Sequence, residues 1–458
     1  MSQSTKQSEI VQTLYNAVKD HAILSPHGHT DPNWFSLDRP FSDPAELLVI
    51  PDHYVFRMLY SQGVAMEDLG IGVAAELRKP REIFRHLAKS WPLLLGTPSR
   101  MWLEYTFQNV FGITQNLSIE TSDAIYDQIA AALASEAYRP RTLLRKFDIA
   151  VLATTDGALD PLHQHKAFAA LGEQARLIPT FRPDTVLNPA SPDFAAHVVQ
   201  MGALTGENTA LLAGYRAALA SRRAYFKAHG ATATDHDVPD FATELLADSA
   251  VQSLLDRALN GTISPQDAIR FYNHMLIEMA QMSVEDGLVM QIHAGNRRST
   301  NAQVLARFGR DMGADIPHAA DWVHGANALL NRVGNNPALH IIAFTLDESV
   351  YARELAPMAG HWPALRLGPP WWFHDSPLGI RRYFDSVVES AGYFNLAGFN
   401  DDTRALMSIP ARHDMWRRAI STHLAEQVSA GKFAASDAHD LAQWLVVGAV
   451  RSAYKLGA

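Results

Sequence analysis

Residues 287–295 read GLVMQIHAG, a short apolar run that closes on a polar residue and a glycine. Three runs of the same kind follow it: LHIIAFTLDE (339–348), LRLGPPWWF (365–373) and LAGFNDD (396–402). Helix-like sequence separates them. Short continuous apolar runs fit strands buried on both faces, as in a parallel sheet covered by helices. Four more such runs stand upstream: AILSPHGH (22–29), IAVLATTD (149–156), RLIPTFRPD (176–184) and HGATATDHD (229–237), the last poorest in large apolar residues. Eight runs alternating with helices predict an α/β fold, a (β/α)8 TIM-type barrel.

The spacing departs from a plain barrel in two places. Residues 31–148, between the first and second runs, exceed what one crossover helix needs and read as helical in PAELLVIPDHYVFRMLYSQGV, PREIFRHLAKSWPLLL and DAIYDQIAAALAS. A large α-helical insertion after strand 1 is predicted there. The chain thus divides into 1–30 (an N-terminal helix and the first strand), 31–148 (the insertion) and 149–458 (the rest of the barrel). A second helical insertion, over roughly 190–228 and 240–282, flanks the fourth strand.

Of the 458 residues 47% are apolar and 19% charged, the mix of a packed globular protein. A net charge of -9 argues against nucleic acid as the main partner. The absence of cysteine excludes disulfides, thiolate metal sites and a cysteine nucleophile. The polar N-terminus lacks an apolar signal core and no run is long enough to span a bilayer, so a cytoplasmic protein is expected, with a small-molecule ligand and self-association. Neither GxGxxG nor GxxxxGK[ST] occurs.

In such a barrel the chemistry sits where the strands end. The runs here close on His27 and His29, Thr155 and Asp156, Arg182, Asp235 and His236, His293 followed by Arg298, Asp347 and Glu348, Trp371 and Trp372, and Asp401, Asp402 and Arg404. All are expected to face one mouth. His27 and His29, two apart on a strand, share a side and can reach one cation. An isolated HxH is more often a pair of ordinary loop histidines; its place after an apolar run favours a metal site. The eighth run supplies a carboxylate, Asp401 or Asp402, with the second favoured by Arg404 two residues on. Arg182, Arg298 and Arg404 carry forks that bind carboxylates. Each alone reads as a salt-bridge partner; three at one mouth with few obvious acidic partners suggest an anionic small molecule. In PDHYVFR (51–57), His53 and Tyr54 are either helix core or a proton shuttle over the site. Of the tryptophans in PPWWFHDSP (369–377), one is expected in the core and the other as a pocket wall.

These residues together resemble the uronate (glucuronate) isomerase family of the amidohydrolase superfamily, over essentially the whole chain. The resemblance is carried by SPHGHTDP, DHYVFRML, PTFRPD, ATDHD, MQIHAGNRR, GPPWWFHD and DDTRALMSIPARHDMWRR, seven separated segments in the family's order. It implies His27, His29 and Asp402 around a divalent metal, expected to be zinc, with His293 as a further ligand or a neighbour of the ligands. It also settles the eighth strand on Asp402, two before the arginine. His53, Tyr54, Arg182, Asp235, Arg298 and Arg404 are then expected around a bound uronate. Two departures lie near the sugar: Asp237, where the family usually has glycine, and HAGNRRSTN, where it has a run of asparagines.

The implied reaction is aldose–ketose isomerisation of hexuronates, D-glucuronate to D-fructuronate and D-galacturonate to D-tagaturonate. Asp402 or Tyr54 is expected to move the C2 proton to C1 through an enediolate, and His53 or His293 to handle the hydroxyl proton. A hydride shift is the alternative chemistry. The rival class is a mononuclear metal-dependent hydrolase of a carboxylate-bearing lactone or ester. A binuclear hydrolase is disfavoured, since strand four has no lysine and strand six no histidine at its end. A non-catalytic sugar-acid binder fits an intact metal set poorly.

Overall fold

The computed structural model describes residues 3–457; residues 1–2 and 458, at the ends of the first and last predicted segments, lie outside it. Its centre is a curled sheet whose strands follow one another in chain order: β1 (Ile23–Ser25), β2 (Ile149–Gly157), β3 (Arg176–Arg182), β4 (Ala233–Val238), β5 (Val289–Ala294), β6 (Ile341–Thr345) and β7 (Leu365–Leu367). Every pairing among them is parallel.

The eighth run is a reduced stave. Leu396 forms a single parallel bridge to Leu367, and Ala397 N–H donates to the Leu367 carbonyl at 2.8 Å. On its other side the ring closes through His29 N–H to the Thr403 carbonyl at 3.0 Å. The chain therefore forms the TIM-type barrel expected, stitched at its last seam rather than laddered.

The strands form where burial is complete on both faces. All residues of β4, β5 and β6 are buried, which suits parallel strands under helices. Alternate side chains fill the interior: Val151, Ala153, Ile178, Ala233, Val289, Ile342 and Phe344 share one apolar cluster. Several strands are shorter than their apolar runs. Pro26 follows β1 and offers no donor to a ladder, so His27 and His29 lie beyond the strand, in a loop. β7 stops before Gly368-Pro369-Pro370. A Cβ on Gly368 would sit 2.4 Å from the Phe344 ring, so only glycine lets the chain leave the strand there.

The long helix Pro265–Asp286 shows how each strand is launched. Ser264 caps it by accepting from Asp267 N–H at 3.1 Å, Pro265 opens it, and Gly287 closes it at φ 80 before β5 begins. Between β1 and β2 the described chain is helical, including Pro32–Leu37, His53–Tyr60, Pro80–Lys89 and Ser122–Leu133. Their apolar faces (Phe35, Val55, Phe84, Leu87, Ile125) share one cluster with Ile149, Leu152 and Leu177 of β2 and β3. These helices thus have no core separate from the barrel. Among the described residues no helix is long and apolar enough to cross a membrane.

Candidate active site

A cavity of about 670 Å3 opens where the strands end. His29, His53, Tyr54, Arg182, Arg298, Trp371, Trp372, Asp402 and Arg404 all line it. His27, Asp235 and His293 are buried behind these residues. Not every polar strand end reaches the cavity. Successive strand residues face opposite ways, so Thr155 lines it while Asp156 turns into the outer layer, where Thr154 Oγ1–H donates to it at 2.7 Å. His236 likewise turns away between Asp235 and Asp237 and lies 3.1 Å from Thr234 Oγ1. Asp347 accepts from Ala320 N–H at 3.1 Å and Glu348 pairs with Arg382 at 3.0 Å. The expectation that all these groups face one mouth fails for Asp156, His236, Asp347, Glu348 and Asp401.

His27 and His29 converge, although not through strand alternation. Their loop is tied on one side by Thr155 Oγ1–H to the Gly28 carbonyl, at 3.0 Å, and on the other by the His29–Thr403 bond of the barrel seam. Asp402 Oδ1 lies 3.5 Å from His27 Nε2 and 3.0 Å from His29 Nε2. Asp401 is occupied elsewhere, accepting from His413 Nε2 at 3.0 Å. Asp402 holds φ 39, a left-handed backbone that side chains other than glycine adopt at a cost. Burial raises the Asp402 carboxyl, but hydrogen bonds to His27 and His29 and their charges outweigh it and hold it well below the usual carboxylate range.

Behind this pair, His293 Nδ1 lies 2.7 Å from Asp235 Oδ1, and the His293 ring stacks on Phe344 at 4.3 Å and on His27 at 5.0 Å. His293 Nε2 is buried without a hydrogen-bond partner among the described residues. Two ligand sets, His27–His29–Asp402 and His27–Asp235–His293, each hold their donor atoms within 4.8 Å of one another and share His27. Imidazole and carboxylate donors converging beside this unpartnered nitrogen fit a divalent metal.

The arginines are more fully matched than the sequence suggested. Arg182 Nε–H donates to Asp184 at 2.8 Å, with Asp235 3.5 Å and Asp237 4.0 Å from its other nitrogens. Arg298 pairs with both Asp237 and Asp315 at 3.1 Å. The expectation of few acidic partners is therefore wrong. Asp184 and Asp237 were visible two residues beyond predicted site residues, but Asp311 and Asp315 come from a loop that carries no motif. Arg404 stands apart, with one acidic partner among the described residues, Asp311, at 2.9 Å and side chains 39% and 46% exposed. So exposed a pair is worth about 0–1 kcal/mol, which leaves Arg404 open to a ligand.

His53 and Tyr54 begin the helix His53–Tyr60, which Asp52 caps by accepting from Tyr54 N–H at 2.9 Å. Their rings stack at 4.8 Å, and Trp372 Nε1–H donates to His53 Nε2 at 2.9 Å. Burial, helped by the charge of Arg404, pushes the His53 pKa down to about 3, so the ring is neutral. Burial likewise holds the Tyr54 phenol well above its usual pKa of 10 although Arg412 opposes it. Trp371 and Trp372 stack at 5.1 Å and 2°, with Arg298 over Trp372 at 4.8 Å. Both tryptophans line the cavity, so the expected division into core and wall is not seen. Arg412 and Asp375, in matched segments but given no role, form a buried pair beneath Tyr54, with the guanidinium 3.5 Å from the Trp102 ring.

A parallel barrel that gathers a candidate His–Asp metal group at its C-terminal mouth, beside His53 and Tyr54, has the form of a TIM-barrel enzyme. The family model described as glucuronate isomerase matches residues 2–446. A uronate isomerase of Rhizorhabdus wittichii is 51% identical, the match covering 98% of this chain and 95% of that one. The crystal structure of glucuronate isomerase from Caulobacter crescentus superposes with a TM-score of 0.97 at 44% identity, covering 99% and 95% of the two chains. The uronate isomerase of Thermotoga maritima gives 0.92 at 27% identity, covering 97% of each. The chain belongs to the glucuronate isomerase family.

Proposed function

We propose that this chain isomerises hexuronates, taking D-glucuronate to D-fructuronate and D-galacturonate to D-tagaturonate by proton transfer through an enediolate. The observation that carries the reading is the meeting of an ionised Asp402, a neutral Tyr54 and a weakly paired Arg404 in one cavity, in a chain matched end to end by uronate isomerases. Full-length matches of this kind leave the hydrolase alternative without support.

His27, His29 and Asp402 Oδ1 would hold the metal, with His293 beside them; zinc suits these donors. When bound, such an ion polarises substrate oxygens and favours the enediolate. Arg404 anchors the carboxylate. Asp402 Oδ2, the oxygen turned from the histidines, takes the C2 proton and returns it to C1. Tyr54 O–H donates to the oxygen that gains charge, and the hydroxyl proton passes from O2 to O1. Burial that keeps Tyr54 neutral makes it a donor rather than the base. Arg182 and Arg298 hold sugar hydroxyls while their own carboxylates keep them in place. Residues 31–148 act as the helical cover that supplies His53 and Tyr54 to the barrel mouth. The same reading includes a cytoplasmic location.

The test is product NMR after incubating the metal-analysed protein with each uronate in heavy water. Both ketoses should form, with solvent deuterium at C1; formation of neither overturns the assignment. Arg404→Met should raise KM by about 10- to 100-fold, the loss of a charged hydrogen-bonded pair, with a smaller change in kcat. An unchanged KM would remove Arg404 as the anchor.

A further inference from the structure

Trp372 carries a constraint that the reaction scheme leaves unused. Its backbone sits at φ 56, left-handed, an unfavourable conformation for a bulky side chain. The indole is clamped by Trp371 at 5.1 Å and by the Arg298 guanidinium at 4.8 Å. So held, it aims Nε1–H at His53 Nε2, 2.9 Å away. An indole nitrogen only donates, so the Nε2 that receives it bears the lone pair, and a neutral imidazole must then carry its single proton on Nδ1. Nδ1 has no partner among the described residues, and His53 lines the cavity.

We infer that Trp372 is a positioning residue that locks His53 in the Nδ1–H tautomer, making the imidazole a fixed hydrogen-bond donor to a substrate oxygen and removing it as a base through Nε2. Protonating His53 would set two N–H donors against each other, so the tryptophan keeps the ring neutral by geometry. The His53 position at the first turn of its helix acts in the same direction, since the N-terminal end disfavours a cation. The inference rests on the isomerase reading for the oxygen that accepts from Nδ1, but not for the tautomer. It narrows the proton-relay role expected of His53: the ring orients and stabilises, and the protons move through Asp402 and Tyr54.

Two measurements test it. Nitrogen NMR on the holoenzyme labelled with 15N-histidine, with His53→Asn used to identify the signal among the 20 histidines, should show His53 Nε2 unprotonated and Nδ1 protonated. That pattern should be lost or mixed in Trp372→Phe. A protonated Nε2 in the unsubstituted enzyme overturns the inference whether or not the chain turns over uronates. The second is a double-mutant cycle on kcat. Trp372→Phe alone should cost about five- to tenfold, a lost hydrogen bond. His53→Asn, whose amide N–H stands close to the Nδ1 position, should retain more activity than His53→Gln, whose amide stands near Nε2. In the His53→Asn background Trp372→Phe should add less than about twofold, because no tautomer remains to be set. Fully multiplicative effects, or glutamine outperforming asparagine, overturn the inference. Absence of ketose formation in the unsubstituted enzyme, with the expected tautomer present, overturns only the isomerase reading.

Discussion

Asp402→Asn is expected to lower kcat/KM for both uronates by about a thousandfold or more, the upper part of what a positioned acid–base group contributes. The proposed function gives this residue two roles. Oδ1 faces His27 and His29 at 3.5 and 3.0 Å and would complete the metal set, whereas Oδ2 is the oxygen proposed to take the C2 proton. An amide keeps one oxygen for a weakened ligand role and loses the base. Asparagine, like aspartate, is among the few side-chain residues that readily hold the left-handed φ of 39 at this position, so the backbone should survive the exchange. The variant should therefore unfold at the same denaturant concentration as the parent and retain metal at reduced affinity. Activity within tenfold of the parent would show that the base is elsewhere.

Arg412→Met carries the largest expected effect on stability. Arg412 is 1% exposed and donates to Asp375 and to the Asp401 carbonyl while covering Trp102. Removing it leaves Asp375 buried and uncompensated, which costs about 3–5 kcal/mol and should appear as a lower denaturant midpoint. The pH dependence has a definite sign. Burial already pushes Asp375 up to about 7, against the pull of Arg412, so its folded pKa lies above the unfolded value of 3.8. A group raised in this way favours folding while protonated, and that contribution is lost as pH rises from the unfolded value through the folded one. Without Arg412 the folded pKa rises further, so the variant's deficit should widen above about pH 7 and narrow near pH 5. Adding Asp375→Leu should recover part of the loss, since an apolar pair of similar volume can replace a buried ion pair. A deficit that is flat with pH and unchanged by the second substitution would show that Arg412 acts through packing on Trp102 alone.

What the sequence made legible follows physical range. The central strands could be read because burial on both faces leaves continuous apolar runs. The ends of β1 and β7 were read too long because hydrophobicity continues past the point where Pro26, Gly368 and Pro369 end the ladder. The candidate ligands His27, His29 and Asp402 stand in legible motifs, but the geometry that gathers them was not legible: the histidines converge through loop bonds to Thr155 and Thr403. The partners of the arginines divide in the same way. Asp184 stands two residues from Arg182, whereas Asp311 reaches Arg404 across 93 residues of chain and Trp372 reaches His53 across 319. No local pattern encodes approaches of that kind. Strand alternation, applied to Thr155–Asp156 and to Asp235–His236–Asp237, would have sorted inward from outward groups from sequence alone.

The close matching of carboxylates to arginines at the mouth bears on how substrate arrives. A site with surplus positive charge draws anions from a distance and gains on-rate from its field. Here the surplus is largely cancelled by Asp184, Asp237, Asp311 and Asp315, within a molecule whose net charge is -9. An anionic sugar acid is therefore met by little long-range pull. Capture depends on unguided collision with the opening, and selection between sugar acids falls to the fit made after contact.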